Sequence, residues 1–186
     1  MPTGVDPLAS LLAERSARRG SFTLSSGRQS SLYIDARLTT MSPEGLALIG
    51  PMALARIREM HWQPDAVGGL TLGADPIAYA ISYASALAGG SLRAFTVRKE
   101  AKAHGMGKRI EGPFRSGDRV VVIEDVITTG ESARNAIRSV QAGGGVVLGV
   151  LALVDREEGG REAIESDGHP VTALVRASDI LPRLPL

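Results

Sequence analysis

Cysteine is absent from the 186 residues, and with it go disulfides, thiol nucleophiles, iron–sulfur ligation and thiolate zinc sites. Histidine is scarce: the three present, His61, His104 and His169, stand too far apart to form a short metal-binding motif. An excess of either charge is missing too. With 21 basic against 20 acidic side chains and a net charge of +1, the chain has no long-range field to draw it onto nucleic acid or an anionic membrane, so any bound anion must be held locally. The longest apolar run, Val146 to Val154, falls far short of the roughly 20 residues a membrane-spanning helix needs, and Met1 to Gly20 carries charges where a signal peptide needs an apolar core. A cytoplasmic protein with no membrane or nucleic-acid partner is expected. Neither GxxxxGK[ST] nor a GxGxxG after a first strand occurs, so nucleoside-triphosphate and dinucleotide readings lose their main support.

What is present is an ordinary globular composition, 44% hydrophobic and 22% charged, at a length that favours one domain spanning residues 1–186. Pro7 to Arg19 places Leu8, Leu11 and Leu12 on one face and reads as an amphipathic helix stopped by Gly20. Two β-prone pieces, Phe22 to Leu24 and Leu32 to Ala36, flank a Ser/Gly turn and predict a hairpin, an appendage to the sheet that follows. Ser42 is a good N-cap with Pro43 at the first helical position, ahead of Leu46, Ile49, Leu54 and Ile57 near the 3.6 period. From Asp65 the pattern becomes short apolar runs alternating with helices: AVGGL, a helix from Pro76 to Leu87, LRAFTVR, VVVIEDV, a helix from Ser132 to Ala142, and VVLGVLALVDR. Val/Ile/Leu strands separated by helices predict an α/β fold with a parallel sheet buried on both faces. Val171 onward adds a last strand and a Pro-rich end.

The strongest chemical signal is VVVIEDVITTGES, Val120 to Ser132. In a parallel sheet it places Glu124 and Asp125 at the carboxyl end of a strand, where open α/β sheets bind ligands. Thr128, Thr129, Gly130, Glu131 and Ser132 then wrap the start of a helix, whose unpaired N–H groups and positive dipole end favour a phosphate. Gly130 permits the turn, and the hydroxyls add donors. The acids would repel a bare phosphate, so they suit hydroxyls or a cation on the same ligand, and a sugar phosphate satisfies both halves. The competing reading is a plain strand end and helix cap.

This segment resembles the phosphoribosyl diphosphate (PRPP) motif of the type I phosphoribosyltransferases. The resemblance implies that family's fold, a mainly parallel central sheet flanked by helices with a small N-terminal hood over about residues 1–40. It also implies that Glu124 and Asp125 contact the ribose hydroxyls, that Ile127, Thr128, Thr129, Gly130, Glu131 and Ser132 hold the 5-phosphate, and that Val126 between them belongs to the PRPP contacts.

A second signal is TVRKEAKAHGMGKRIEGPF, Thr96 to Phe114, where Arg98, Lys99, Lys102, His104, Lys108 and Arg109 lie among Gly105, Gly107 and Gly112. Alone, such a charge run reads as a solvated face; beside a phosphate motif it reads as cations for a diphosphate on a loop that closes over the site. RKEAKAHGMGKRIEG resembles the catalytic loop of the orotate phosphoribosyltransferases, FTLSSGRQSSLYIDAR their N-terminal hairpin on the orotate side, and LALVDR the end of their last long strand. The likeness implies PRPP contacts from Arg98, Lys99, Lys102 and His104, catalysis by Lys102, His104 and Asp125, and orotate contacts from Thr128 and Arg156. Without it, Arg156 would read as a strand-end arginine in a surface ion pair with Asp155. Two departures stand out: Ser25 and Leu72 occupy places where many family members carry lysine; backbone N–H groups of Leu70 to Ala74 could hold pyrophosphate in their stead, and the competing reading of that loop is a simple strand-to-helix turn.

What the likeness implies is transfer of ribose 5-phosphate from PRPP to N1 of orotate, with Mg²⁺ held mainly by the substrate near Glu124 and Asp125, in a homodimer with shared active sites. A phosphoribosyltransferase for another base, or a PRPP-binding regulator without catalysis, are the rivals. The regulator lacks support from the near-neutral charge and the few aromatics, 3 Phe, 3 Tyr and 1 Trp.

Overall fold

The computed structural model describes residues 6–23, 29–100 and 109–185. Helix α1 (Pro7–Arg15) leads into a two-stranded antiparallel sheet of β1 (Ala17–Thr23) and β2 (Gln29–Ile34). After α2 (Arg37–Thr40) and α3 (Pro43–Glu59) come β3 (Ala66–Leu70), α4 (Ala74–Leu87), β4 (Arg93–Val97), β5 (Ile110–Glu111), β6 (Arg119–Ile127), α5 (Glu131–Ala142), β7 (Val146–Asp155), α6 (Gly160–Ser166), β8 (Val171–Arg176), α7 (Ala177–Ile180) and a 3₁₀ turn, Leu181–Arg183. The main sheet has the order β5-β4-β3-β6-β7-β8, parallel throughout except for the β4–β5 pair.

Side chains alternate across a strand, so a doubly covered sheet needs apolar residues at consecutive positions. Strand β6 shows this directly. Val121 and Ile123 join Leu8, Leu12, Ile49, Ile77 and Ile81 under α1, α3 and α4, while Val120 and Val122 join Ala136, Ile137 and Val140 of α5 on the other face. Strand β7 divides likewise, Leu151 and Leu153 to the first layer, Val150 and Ala152 to the second.

Connection geometry then places the site. The chain leaves β3 through α4 toward one edge of the sheet and leaves β6 through α5 toward the other, and β3 and β6 are neighbours. Crossovers of one hand running in opposite directions put α4 and α5 on opposite faces and open a crevice between the carboxyl ends of β3 and β6.

The expected α/β class is the one found, and Ser42 does start α3, its Oγ accepting from the Gly45 N–H at 3.1 Å. Boundaries moved at the N-terminus. The first helix stops at Arg15, and Arg18, Arg19 and Gly20 lie in β1, because Ala17 and its successors pair with Ile34, Tyr33 and Leu32. Cross-strand pairing outweighs the helical preference of a short arginine-rich stretch. The segment 156–170, left without structure above, contains α6, and the two-residue β5 closes a hairpin with β4.

Candidate active site

A cleft of about 900 Å³ opens at the crevice. Its walls come from five places: the end of the hood (Tyr33, Asp35, Arg37), the turn after β3 (Thr71, Leu72, Gly73), the end of β6 with the start of α5 (Glu124, Asp125, Thr128, Thr129, Ser132), Lys99 after β4, and Arg156 after β7.

The turn from β6 into α5 has the form a phosphate needs. Gly130 adopts φ +80°, and a Cβ there would lie 2.7 Å from the Gly160 carbonyl oxygen, so both conformation and space require glycine. The first N–H groups of α5 have no partner within the helix and, with Thr128, Thr129 and Ser132 on the cleft wall, form a nest of donors. Three residues of the expected phosphate contact set sit differently from the rest. The Ile127 side chain is buried under α5 and α6. The Glu131 carboxylate turns along the helix to accept from Arg138 at 2.7 Å, and Gly130 has only its backbone to offer.

The two acids differ sharply. Asp125 is half-buried, accepts from the Val126 N–H at 2.8 Å and packs against the β3 turn so closely that a Cβ on Gly73 would come within 2.3 Å of its carboxylate. Glu124 is buried, and its Oε2 has no hydrogen-bond partner. Burial, then the adjacent charge of Asp125, pushes the Glu124 carboxyl well above its ordinary range.

Arg156 is no surface ion pair with Asp155. Its side chain is 4% exposed, and Nη2 donates to Ser30 Oγ at 2.7 Å, the Leu32 carbonyl at 2.8 Å and Glu158 Oε1 at 2.7 Å. The buried Nε has no partner. Nη2 therefore ties the hood to the core, with the guanidinium on the cleft wall where its charge suits an anion.

Arg98 lies in a shallower depression beside Thr71, Thr96 and Lys99, with Nη1 3.4 Å from Glu111. Its N–H donates to the Arg109 carbonyl, and Arg109 donates back to the Arg98 and Lys99 carbonyls, so the chain leaves and returns at one point on the cleft rim. Lys102 and His104 lie outside the described residues. Sequence reasoning missed Asp35 and Arg37, a bidentate pair at 2.8 and 3.0 Å that brings a further guanidinium to the cleft. The hydrogen bond from Arg37 holds the Asp35 carboxyl below its usual range. Only the adjacency of an acid and an arginine after the hairpin could have suggested them.

No family model matches the chain. It is 48% identical over 179 residues, 95% of this chain and 97% of the relative, to an orotate phosphoribosyltransferase of Aquifex aeolicus (strain VF5). Among solved structures, orotate phosphoribosyltransferase of Mycobacterium tuberculosis H37Rv in complex with Fe(III) dicitrate is 45% identical with a TM-score of 0.82, covering 93% of this chain and 96% of that one. The same enzyme in complex with PRPP gives 42% and 0.78, with 93% and 96% coverage.

Proposed function

The chain belongs to the orotate phosphoribosyltransferase family, and from that premise we propose how its cleft serves two substrates. The enzyme transfers the ribose 5-phosphate group of PRPP to orotate, giving orotidine 5-phosphate and pyrophosphate in pyrimidine biosynthesis. In our reading the 5-phosphate sits on the turn from Thr128 to Ser132, with the ribose hydroxyls at Glu124 and Asp125. Pyrophosphate lies between the Thr71–Gly73 turn and the basic segment that starts at Lys99 and carries Lys102 and His104. Orotate lies under the hood, its carboxylate on Arg156, with Thr128 beside it.

The observation that carries the assignment of the base is Arg156, whose burial with an unpartnered Nε suits a planar anion. Leaving-group departure gives the sugar cationic character, so no protein nucleophile is required. Preorganised donors on the departing pyrophosphate, each worth on the order of 10²-fold in rate, together with placement of orotate on the opposite face of the ribose, do the work. Lys102, Arg98 and His104 neutralise or protonate the leaving group.

Mg²⁺ belongs to the proposal. Among the described residues no cluster of three or more His, Asp or Glu is poised to hold a metal, so the chain offers the Glu124–Asp125 pair and the substrate supplies the other ligands. The pair fits, since a cation would relieve both the unpartnered Glu124 Oε2 and the repulsion between the two carboxyls. When bound, the ion neutralises charge on the departing pyrophosphate.

A homodimer with shared sites is also proposed. Tyr79, Tyr83 and Leu87 recur every fourth residue along α4, 53%, 68% and 73% exposed, an apolar stripe that a second copy would cover. PRPP and its products are multiply charged and do not cross a bilayer unaided, which supports a cytoplasmic site of action. No helix among the described residues is long and apolar enough to cross a membrane. The test is to follow loss of orotate absorbance with PRPP and Mg²⁺, with hypoxanthine, uracil and adenine as controls. Turnover of orotate alone is expected, and turnover of another base in its place refutes the reading.

A further inference from the structure

Leu72 puts an apolar, 59% exposed side chain where the turn after β3 meets the cleft, so this turn has no cation of its own to offer a diphosphate. Its backbone has to serve. The Thr71 N–H already donates to the Val97 carbonyl at 2.9 Å, which leaves the amides of Leu72, Gly73 and the first turn of α4. Amides bind an anion only when they converge, so whatever fixes this turn sets its affinity.

One carboxylate does so. Asp75, in the first turn of α4, accepts from Thr71 Oγ1 at 2.7 Å on one oxygen and from Thr96 Oγ1 at 2.8 Å on the other. Thr96 lies on the neighbouring strand β4, and the Tyr79 hydroxyl lies 2.9 Å from its Oγ1. A hydroxyl has one proton, and that of Thr96 goes to the carboxylate, so Tyr79 is the donor in the third bond. The sense of the chain is fixed: Tyr79 to Thr96 to Asp75, with Thr71 donating from the other side. On its far side the turn abuts the Asp125 carboxylate at Gly73. The turn is thus held between two acids, one facing the cleft and one behind it.

We propose that Asp75 is a positioning residue for the leaving group: through Thr71 it holds the turn in the conformation whose amides receive the pyrophosphate of PRPP, in place of a charged side chain. The proposal rests on the assignment of this turn to pyrophosphate made above. Asp75 does not itself touch the substrate. Its negative charge is taken up by two hydroxyl donors and by the N-terminal end of α4.

The test compares Thr71→Val, Thr71→Ser, Asp75→Ala and the Thr71→Val/Asp75→Ala double variant. Each is assayed for the KM of PRPP, the KM of orotate and the inhibition constant of pyrophosphate, and pyrophosphate binding is titrated directly by calorimetry. Loss of one charge-assisted hydrogen bond predicts that Thr71→Val and Asp75→Ala each weaken PRPP and pyrophosphate by about 10-fold, with the orotate KM within about twofold. The double variant should be no weaker than the worse single one, since both break the same link. Thr71→Ser, which keeps the hydroxyl, should restore the affinity for pyrophosphate. Should Asp75→Ala fail to fold, the contrast between the near-isosteric Thr71→Val and Thr71→Ser decides. Parallel weakening of orotate, additive losses, or a Thr71→Ser variant as weak as Thr71→Val overturns the proposal. Because calorimetry needs no acceptor base, failure of the wild-type enzyme to use orotate would overturn the functional reading and leave the Asp75 result legible on its own.

Discussion

Replacing Arg156 by alanine should produce two separable losses. Nη2 has two protons shared among three acceptors, Ser30 Oγ and the Leu32 carbonyl in the hood and Glu158 Oε1 beside it in the core, so the truncation removes about two full bonds, most of them to the hood. At roughly 1.5 kcal/mol for each charge-assisted bond, their removal costs about 3 kcal/mol, the low end of the range for breaking a buried ionic contact. For a chain of this size that is a fall in Tm of about 6–12 °C. Independently, loss of the contact to the orotate carboxylate, roughly 1.5–3 kcal/mol, should raise the orotate KM about 10- to 150-fold. Ser30→Ala separates the two, since it removes one acceptor while leaving the guanidinium in place. It should lower Tm by about 2–4 °C, for a loss near 1 kcal/mol, with a much smaller effect on orotate. Steady-state kinetics with both substrates and a thermal melt of each variant make the measurement. An Arg156→Ala enzyme with unchanged orotate KM refutes the role in recognition, and an unchanged Tm refutes the tie. Equal weakening of orotate and PRPP would mean that the residue acts through the fold alone.

Glu124→Gln should raise Tm of the ligand-free protein at neutral pH while lowering PRPP turnover. Glu124 is held above its ordinary value of 4.5, so as pH rises past 4.5 the unfolded chain releases this proton first and stability falls until the folded group also ionises; the gap between variant and wild type should therefore widen upward from about pH 4.5, and a gap independent of pH in thermal melts counts against the argument. Gly130→Ala forces a Cβ onto φ +80° and against the Gly160 carbonyl, so Tm should drop by an amount equivalent to at least roughly 1–2 kcal/mol, with PRPP affinity falling further; a wild-type melt would mean that the turn adapts. If sites are shared, Lys102→Ala and Asp125→Asn proteins, each nearly inactive, should recover about a quarter of wild-type activity after subunit exchange, because about half the dimers are mixed and each has one intact site. Verified exchange without recovery rejects the shared site.

The central sheet was legible because burial on both faces writes itself as unbroken apolar runs, as in Val120 to Ile123 and Val150 to Val154. The turn from β6 into α5 was legible because acids, hydroxyls and Gly130 are contiguous in sequence. Contacts made by distant segments left no such mark. Arg156 reads as a surface residue until β2 folds over it, some 125 positions away in the chain, and Asp35 and Arg37 reach the cleft only because the hood packs above it. Asp75 looks like an ordinary first-turn acid, since its partner Thr96 lies on another strand. Strand β1 was hidden in an arginine-rich stretch whose conformation is set by its pairing with β2.

The tie through Arg156 also bears on how base preference could be exchanged between enzymes of this architecture. The side chain that steadies the hood comes from the end of β7, and Arg19 of the hood in turn reaches the Leu181 carbonyl near the C-terminus. A hood grafted alone onto a foreign core would arrive without its anchor, presenting a serine hydroxyl and a backbone carbonyl to a gap. The smallest portable unit therefore joins two stretches far apart in the gene, residues 17–34 and 155–158, and a recombination crossover between them would separate the cover from the arginine that fastens it.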